Sequence, residues 1–249
     1  MSAASPIIVF TDGAAKGNPG PGGWGVIVVM PEQRVTELGG GSPHTTNNKM
    51  ELSGAIAALQ HVARETGPVA IYTDSTYVIQ GITQWVWGWR RRGWKTAQGG
   101  DVVNRDLWEE LSALVGARAR GEVDWRWVRG HVGTPGNERV DEIAVSFSVQ
   151  QPTALYDGPF HDYSLPILQL PDDTALPKRS ADAAPSGRSK AAAYSYLSIV
   201  DGVLMRHQTW AECEGRVKGR AGARFKKATS VAEESAILRS WGIASGLFD

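Results

Sequence analysis

The sequence predicts an α/β protein built on a mixed sheet, with a small α+β domain after it. Three observations carry the prediction. β-Branched runs first follow one another directly and then alternate with helix-length apolar periods, a proline-rich stretch breaks all periodicity, and a strand-and-helix pattern resumes beyond it.

Residues 6–11 form an apolar run that ends in the turn pair Asp12-Gly13, and residues 25–30 and 33–40 read as two further strands of a meander. From residue 47 the apolar positions Leu52, Ile56, Leu59 and Val62 fall three or four apart. Thr46 stands ahead of them as an N-cap, so a helix to about residue 65 is predicted. A fourth strand, 69–73, is followed by Asp74. Next come short helical segments carrying Trp85, Trp87, Trp89 and Trp94, a helix at 105–115, a fifth strand at 122–128 and a helix at 137–149. Strands paired at first and later separated by helices make a five-stranded mixed sheet with flanking helices. Between residues 152 and 190 there are six prolines and no period of either kind, which reads as a linker and sets the domains at 1–150 and 191–249, with 151–190 between them. One patch inside it, 163–170, is apolar enough to dock on a folded surface. Beyond it the pattern predicts a strand at 194–200, a helix at 210–217 opened by Thr209, a short strand at 223–226, and a helix at 231–241 capped by Ser230.

Composition narrows the function classes. With 249 residues, 42% hydrophobic and 21% charged, the chain fits neither a disordered nor a multi-span membrane protein. No apolar run approaches the roughly 20 residues needed to cross a bilayer, and the N-terminus MSAASPIIVF has no basic start, so a cytoplasmic protein without a membrane partner is expected. The single cysteine, Cys213, fits a reducing compartment and cannot supply a thiolate metal cluster. Net charge is zero, yet Arg90, Arg91, Arg92 and Lys95 cluster together, and residues 190–249 hold 9 basic against 6 acidic side chains. A neutral total therefore does not exclude nucleic acid.

Three acids sit at the ends of predicted elements: Asp12 after the first strand, Asp74 after the fourth, and Glu51 early in the first long helix. If the first and fourth strands are neighbours, Asp12 and Asp74 meet at one rim. The helix can bring Glu51 there, and Asp141 can join from the last helix of the domain. Crowded carboxylates raise one another's pKa unless cations neutralise them. An all-oxygen donor set suits Mg²⁺, which shares its coordination with phosphate, rather than zinc. The run Gly20-Pro21-Gly22-Gly23-Trp24-Gly25 contains a dinucleotide-binding pattern, but its glycines lead into a strand and not a helix N-terminus, so that function is rejected.

The segments FTDGAAKGNPGPGGWG, TTNNKMELSGAI, YTDSTYVIQGI and VRGHVGTPGNERVDEIA together resemble the bacterial branch of type 1 ribonuclease H over residues 6–149. The intervening ITQWVWGWRRRGWKTA resembles that family's basic handle. The resemblance implies a ribonuclease H fold and a metal-dependent endonuclease that hydrolyses the RNA strand of RNA–DNA hybrids. It implies two Mg²⁺ ions, with Mn²⁺ as the alternative, held by Asp12, Glu51, Asp74 and Asp141, and products ending in 5′-phosphate and 3′-hydroxyl. His131 takes the place of a histidine that moves protons or assists product departure, and Asn18, Asn47 and Asn48, with Thr46 beside them, match positions that contact the hybrid backbone. Amides suit the 2′-hydroxyl, which both donates and accepts. In the handle, Arg90, Arg91, Arg92 and Lys95 offer phosphate neutralisation, and the interleaved Trp85, Trp89 and Trp94 offer flat stacking surfaces. The tail resembles a small hybrid-binding domain, with Trp210, Phe225, Lys226 and Lys227 as its aromatic surface and phosphate-binding lysines. That likeness implies RNA–DNA hybrid as the partner and double-stranded RNA as a second ligand of the tail; a monomer is expected. The alternative is a non-catalytic protein that binds hybrid or double-stranded RNA on the same fold; it should have lost a carboxylate, and none is lost.

Overall fold

In a computed structural model, residues 5–130, 133–177, 194–217, 220, 223–241 and 243 are described. The chain divides into two compact units after Pro177.

The first unit is a six-stranded sheet. Strands β1 (Ile7–Ala15), β2 (Gly20–Met30) and β3 (Arg34–Thr45) form the antiparallel meander, and β4 (Val69–Thr73) and β5 (Val123–Trp127) add in parallel on the other side of β1. A short β6 (Asp157–Pro159) closes the far edge against β3, giving the order β5-β4-β1-β2-β3-β6. Alternation along the strands sends Ile7, Val9, Val26 and Val28 to one face and Phe10, Ile27 and Val29 to the other. Helix α1 (Asn47–His61), capped by the Thr46 hydroxyl, covers the first face with Leu52, Ile56 and Leu59. Trp108 and Leu111 of α4 (Arg105–Ala117) extend that core. Between β4 and α4 run α2 (Thr76–Gln80), a π-helical turn (Gly81–Trp85) and α3 (Val86–Arg91). Helix α5 (Pro135–Ser148) packs against β1 and β2 and places Val140 in the second face.

The linker expected from residue 151 starts later in the structure. Residues 151–177 are docked on the first unit: β6 pairs with β3, Ile167 is fully buried against Phe10, Tyr72 and Val128, and the carbonyl of Thr174 accepts from the backbone of Trp127 in β5. This strap crosses the second face from one sheet edge to the other. It carries no periodic signature because it is extended and broken by prolines, although its apolar patch at 163–170 is what buries. The carboxylate of Glu37 in β3 anchors it. Arg139 of α5 donates to both oxygens at 2.8 and 2.9 Å, the Tyr163 hydroxyl donates at 2.6 Å and the Tyr156 backbone at 3.0 Å.

The second unit is a three-stranded sheet, β8 (Val203–His207), β7 (Ser195–Val200) and β9 (Arg224–Ala228) in that order, with α6 (Trp210–Val217) and α7 (Val231–Ser240). Leu197, Ala228, Ile237 and Leu238 form one small core and Val200, Cys213 and Val217 another. Strand β8 is an addition to the expected elements. Its signal was present in Asp201-Gly202, which turn with φ of 52° and 77°, the left-handed pair a tight hairpin needs. Among the described residues no helix is long and apolar enough to cross a membrane.

Candidate active site

The site grows from strand adjacency. β1 and β4 run parallel with Phe10 opposite Tyr72, so Asp12 and Asp74, each two residues further on, emerge side by side at one rim. Across β2, Asp12 pairs with Gly25, and α5 passes directly over that glycine. A Cβ there would stand 2.3 Å from the Val140 carbonyl, so only a hydrogen lets α5 bring Asp141 to the rim. On the other face a Cβ at Gly13 would stand 2.3 Å from the Glu51 nitrogen, so α1 comes equally close with Glu51. These two contacts explain why glycines stand where a sheet would ordinarily take β-branched residues. Gly25→Ala should cost about 2 kcal/mol through overpacking and, by pushing Asp141 outward, raise the Mg²⁺ concentration at half-maximal activity several-fold; thermal melting and a metal titration check this.

The four acids feel one another. Burial first, then the charges of Asp74, Asp141 and Glu51, push the Asp12 carboxyl up to about 8, against a hydrogen bond of 2.6 Å from the Gly13 backbone that lowers it. Glu51 is also raised, by burial and by Asp74, although Ser75 and Asn47 donate to its two oxygens at 2.6 and 2.8 Å. Ser75 was not singled out by sequence reasoning. Its hydroxyl orients Glu51 and caps α2 by accepting from the Val78 backbone at the same time. The Asp74 carbonyl accepts from the Trp127 indole at 3.2 Å, and a Cβ on Gly130 would lie 2.3 Å from Asp74 Oδ2, so the loop after β5 presses on this acid. Four mutually repelling carboxylates with oxygen donors only are a fitting seat for a hard divalent cation. Among the described residues no group of three or more such side chains already stands close enough to hold a metal ion.

The other candidates divide. His131 lies outside the described residues. Thr46 is engaged as the α1 cap, and the Asn47 amide holds Glu51. Asn18, in the turn between β1 and β2, and Asn48, in the first turn of α1, are exposed. Trp85 and Trp89 are half-buried in an aromatic ladder that runs Tyr77, Trp85, Trp89, Trp108 with centroids 5.5 to 6.1 Å apart. This corrects the expectation that both rings are free stacking surfaces, because their faces are taken by each other and by the core. The exposed ring of the handle is Trp87, 46% accessible with the Arg90 guanidinium 5.8 Å from its centroid, and the tryptophan spacing alone did not distinguish it from its neighbours. Arg90, Arg91 and Arg92 are exposed, while Lys95 is paired to Asp101 at 2.6 Å.

In the second unit Trp210 and Phe225 are exposed and stand 5.5 Å apart, with Tyr196 5.7 Å from Trp210. The groove they line also includes Lys226 and Lys227.

Residues 4–148 match the family model described as RNase H. The chain is 53% identical over 150 residues to a ribonuclease H of Thermosynechococcus vestitus, covering 59% of this chain and 91% of that one. It is 54% identical over 138 residues to a ribonuclease HI of Caulobacter vibrioides, covering 55% and 89%. Among solved structures it resembles LC9-RNase H1, a type 1 RNase H with the type 2 active-site motif, with a TM-score of 0.54 and 34% identity over 65% of this chain and 82% of that one.

Proposed function

Because the chain belongs to the RNase H family, we propose that its acidic rim hydrolyses the RNA strand of RNA–DNA hybrids, with water as the nucleophile and 5′-phosphate and 3′-hydroxyl ends as products. The observation that supports this most is the convergence of Asp12, Glu51, Asp74 and Asp141: burial first, and then the charges of the other three, push the Asp12 carboxyl up to about 8. Asp12, Glu51, Asp74 and Asp141 would hold two Mg²⁺ ions, which when bound would supply positive charge at the reacting phosphate. The chain's own residues do the rest. Ser75 and Asn47 fix the Glu51 carboxylate, and the exposed Asn18 and Asn48 offer amides to ribose hydroxyls. Arg90, Arg91 and Arg92 neutralise phosphates along the duplex. His131 is the proton carrier on the strength of its glycine-flanked motif, histidine being the side chain whose charge changes most readily near neutral pH.

The second unit is a hybrid-binding module in this reading. Its ring pair Trp210 and Phe225 offers a face to sugars or bases, beside Lys226 and Lys227. As a second unit on the same chain, it would raise the local concentration of enzyme on long hybrids without touching the chemistry. The purified chain should cleave the RNA strand of a labelled hybrid in Mg²⁺, leave duplex DNA intact, and lose activity in EDTA. Trp210→Ala should leave cleavage of short hybrids unchanged while weakening binding to long ones several-fold, read by mobility shift at two salt concentrations.

A further inference from the structure

Asp74 stands one residue beyond the ladder of β4, whose last pair joins Thr73 to Trp127, so strand pairing stops just before the acid that the site needs held. Trp127 bridges that gap. Its indole nitrogen donates to the Asp74 carbonyl at 3.2 Å, while its backbone nitrogen, on the outer edge of the sheet, donates to the Thr174 carbonyl at 3.0 Å. Thr174 belongs to the strap, which starts at β6 on the opposite edge and is pinned midway by the fully buried Ile167. The family match ends at residue 148, before the strap begins. We propose that Trp127 is a positioning residue for Asp74 and that the strap, by closing the β5 edge, holds Trp127 in place, which makes residues 156–177 part of the catalytic unit rather than a tether. The Asp74 carbonyl and carboxylate hang on the same Cα, so the indole bond to the carbonyl helps to set where the carboxylate stands, and misplacing a catalytic group by about 1 Å can cost about 10²-fold in rate.

The proposal rests on the nuclease reading, and the test separates the two. Full-length Trp127→Phe keeps a ring and loses the N–H. It should lower kcat on saturating hybrid about tenfold and raise the half-saturating Mg²⁺ concentration several-fold, with KM for hybrid within twofold of wild type and melting nearly unchanged. Ile167→Ala, which loosens the strap under its midpoint, should speed hydrogen exchange at the Trp127 amide and lower kcat in the same direction. If wild type cleaves hybrid and Trp127→Phe matches it in kcat and Mg²⁺ response, the positioning role is wrong while the nuclease reading stands. If the Trp127 amide exchanges faster in Ile167→Ala with kcat unchanged, the strap's part is overturned. A wild-type chain without cleavage overturns both.

Discussion

Asp12→Asn should abolish cleavage of a labelled hybrid, by about 10³-fold or more, and at pH 8 should raise the midpoint of thermal unfolding of the metal-free protein. Both effects follow from one carboxylate. Removing a charged ligand forfeits several kcal/mol of transition-state stabilisation, at about 1.4 kcal/mol per factor of ten. In the absence of metal, however, that same charge is a burden. Its folded pKa of about 8 lies above the ordinary carboxylate value, so Asp12 favours the fold below the unfolded pKa and that contribution is lost as pH rises from about 4 through 8. Linkage sets a ceiling of about 1.4 kcal/mol per unit between the two values. Asparagine carries no charge to disfavour, and a rise in Tm of about 5 °C is expected at 2–4 °C per kcal/mol. Added Mg²⁺ should stabilise the wild type at pH 8 and the variant hardly at all, since only ligands that bind the folded state shift the equilibrium. Calorimetric melts with and without Mg²⁺ at pH 5 and pH 8, alongside a gel assay, read all of this. Wild-type activity in Asp12→Asn would contradict the site.

Arg139→Met is the second large change, and it concerns stability. The Glu37 side chain is 1% exposed, and without Arg139 it becomes a buried carboxylate deprived of its cation. Breaking such a pair from one side costs about 3–5 kcal/mol, so Tm should fall by about 10 °C. Burial alone would raise the Glu37 carboxyl. The hydrogen bonds from Arg139, Tyr163 and the Tyr156 backbone, with the charge of Arg139, outweigh it and hold Glu37 below the usual glutamate range. Its contribution is therefore present above the unfolded pKa and disappears as pH falls through the lower folded value. The deficit of Arg139→Met relative to wild type should shrink in strong acid. The double variant Glu37→Met with Arg139→Met should recover much of the loss, because an apolar pair of similar size leaves no unpaired charge. If Arg139→Met melts like wild type, the strap is not anchored as described.

The acids were legible in the sequence because each follows a clear signal: Asp12 and Asp74 end apolar β-branched runs, and Glu51 sits one turn into a helix announced by Thr46. Their convergence depended on β1 lying beside β4, which no local pattern encodes. The strap was legible only as an apolar patch. Its hydrogen bonds go to the outer edges of β3 and β5 and its anchor, Glu37, reads locally as a polar residue in a strand, so its partners Arg139 and Tyr163, 102 and 126 residues away, could not be inferred. The handle shows the opposite limit: four tryptophans close in sequence look alike until packing sends Trp85 and Trp89 into the ladder with Trp108 and leaves Trp87 outside. Ser75 and Trp127 escaped notice for a similar reason, since each acts on an acid that only the fold brings near.

Anomalous diffraction from Mn²⁺ in crystals of a cleavage-deficient variant that keeps all four acids, grown with an RNA–DNA hybrid, locates the ions directly. Two peaks bounded by the oxygens of Asp12, Glu51, Asp74 and Asp141 are expected beside a phosphate of the RNA strand. Ions bound elsewhere, with these four side chains ligating nothing, would contradict the account.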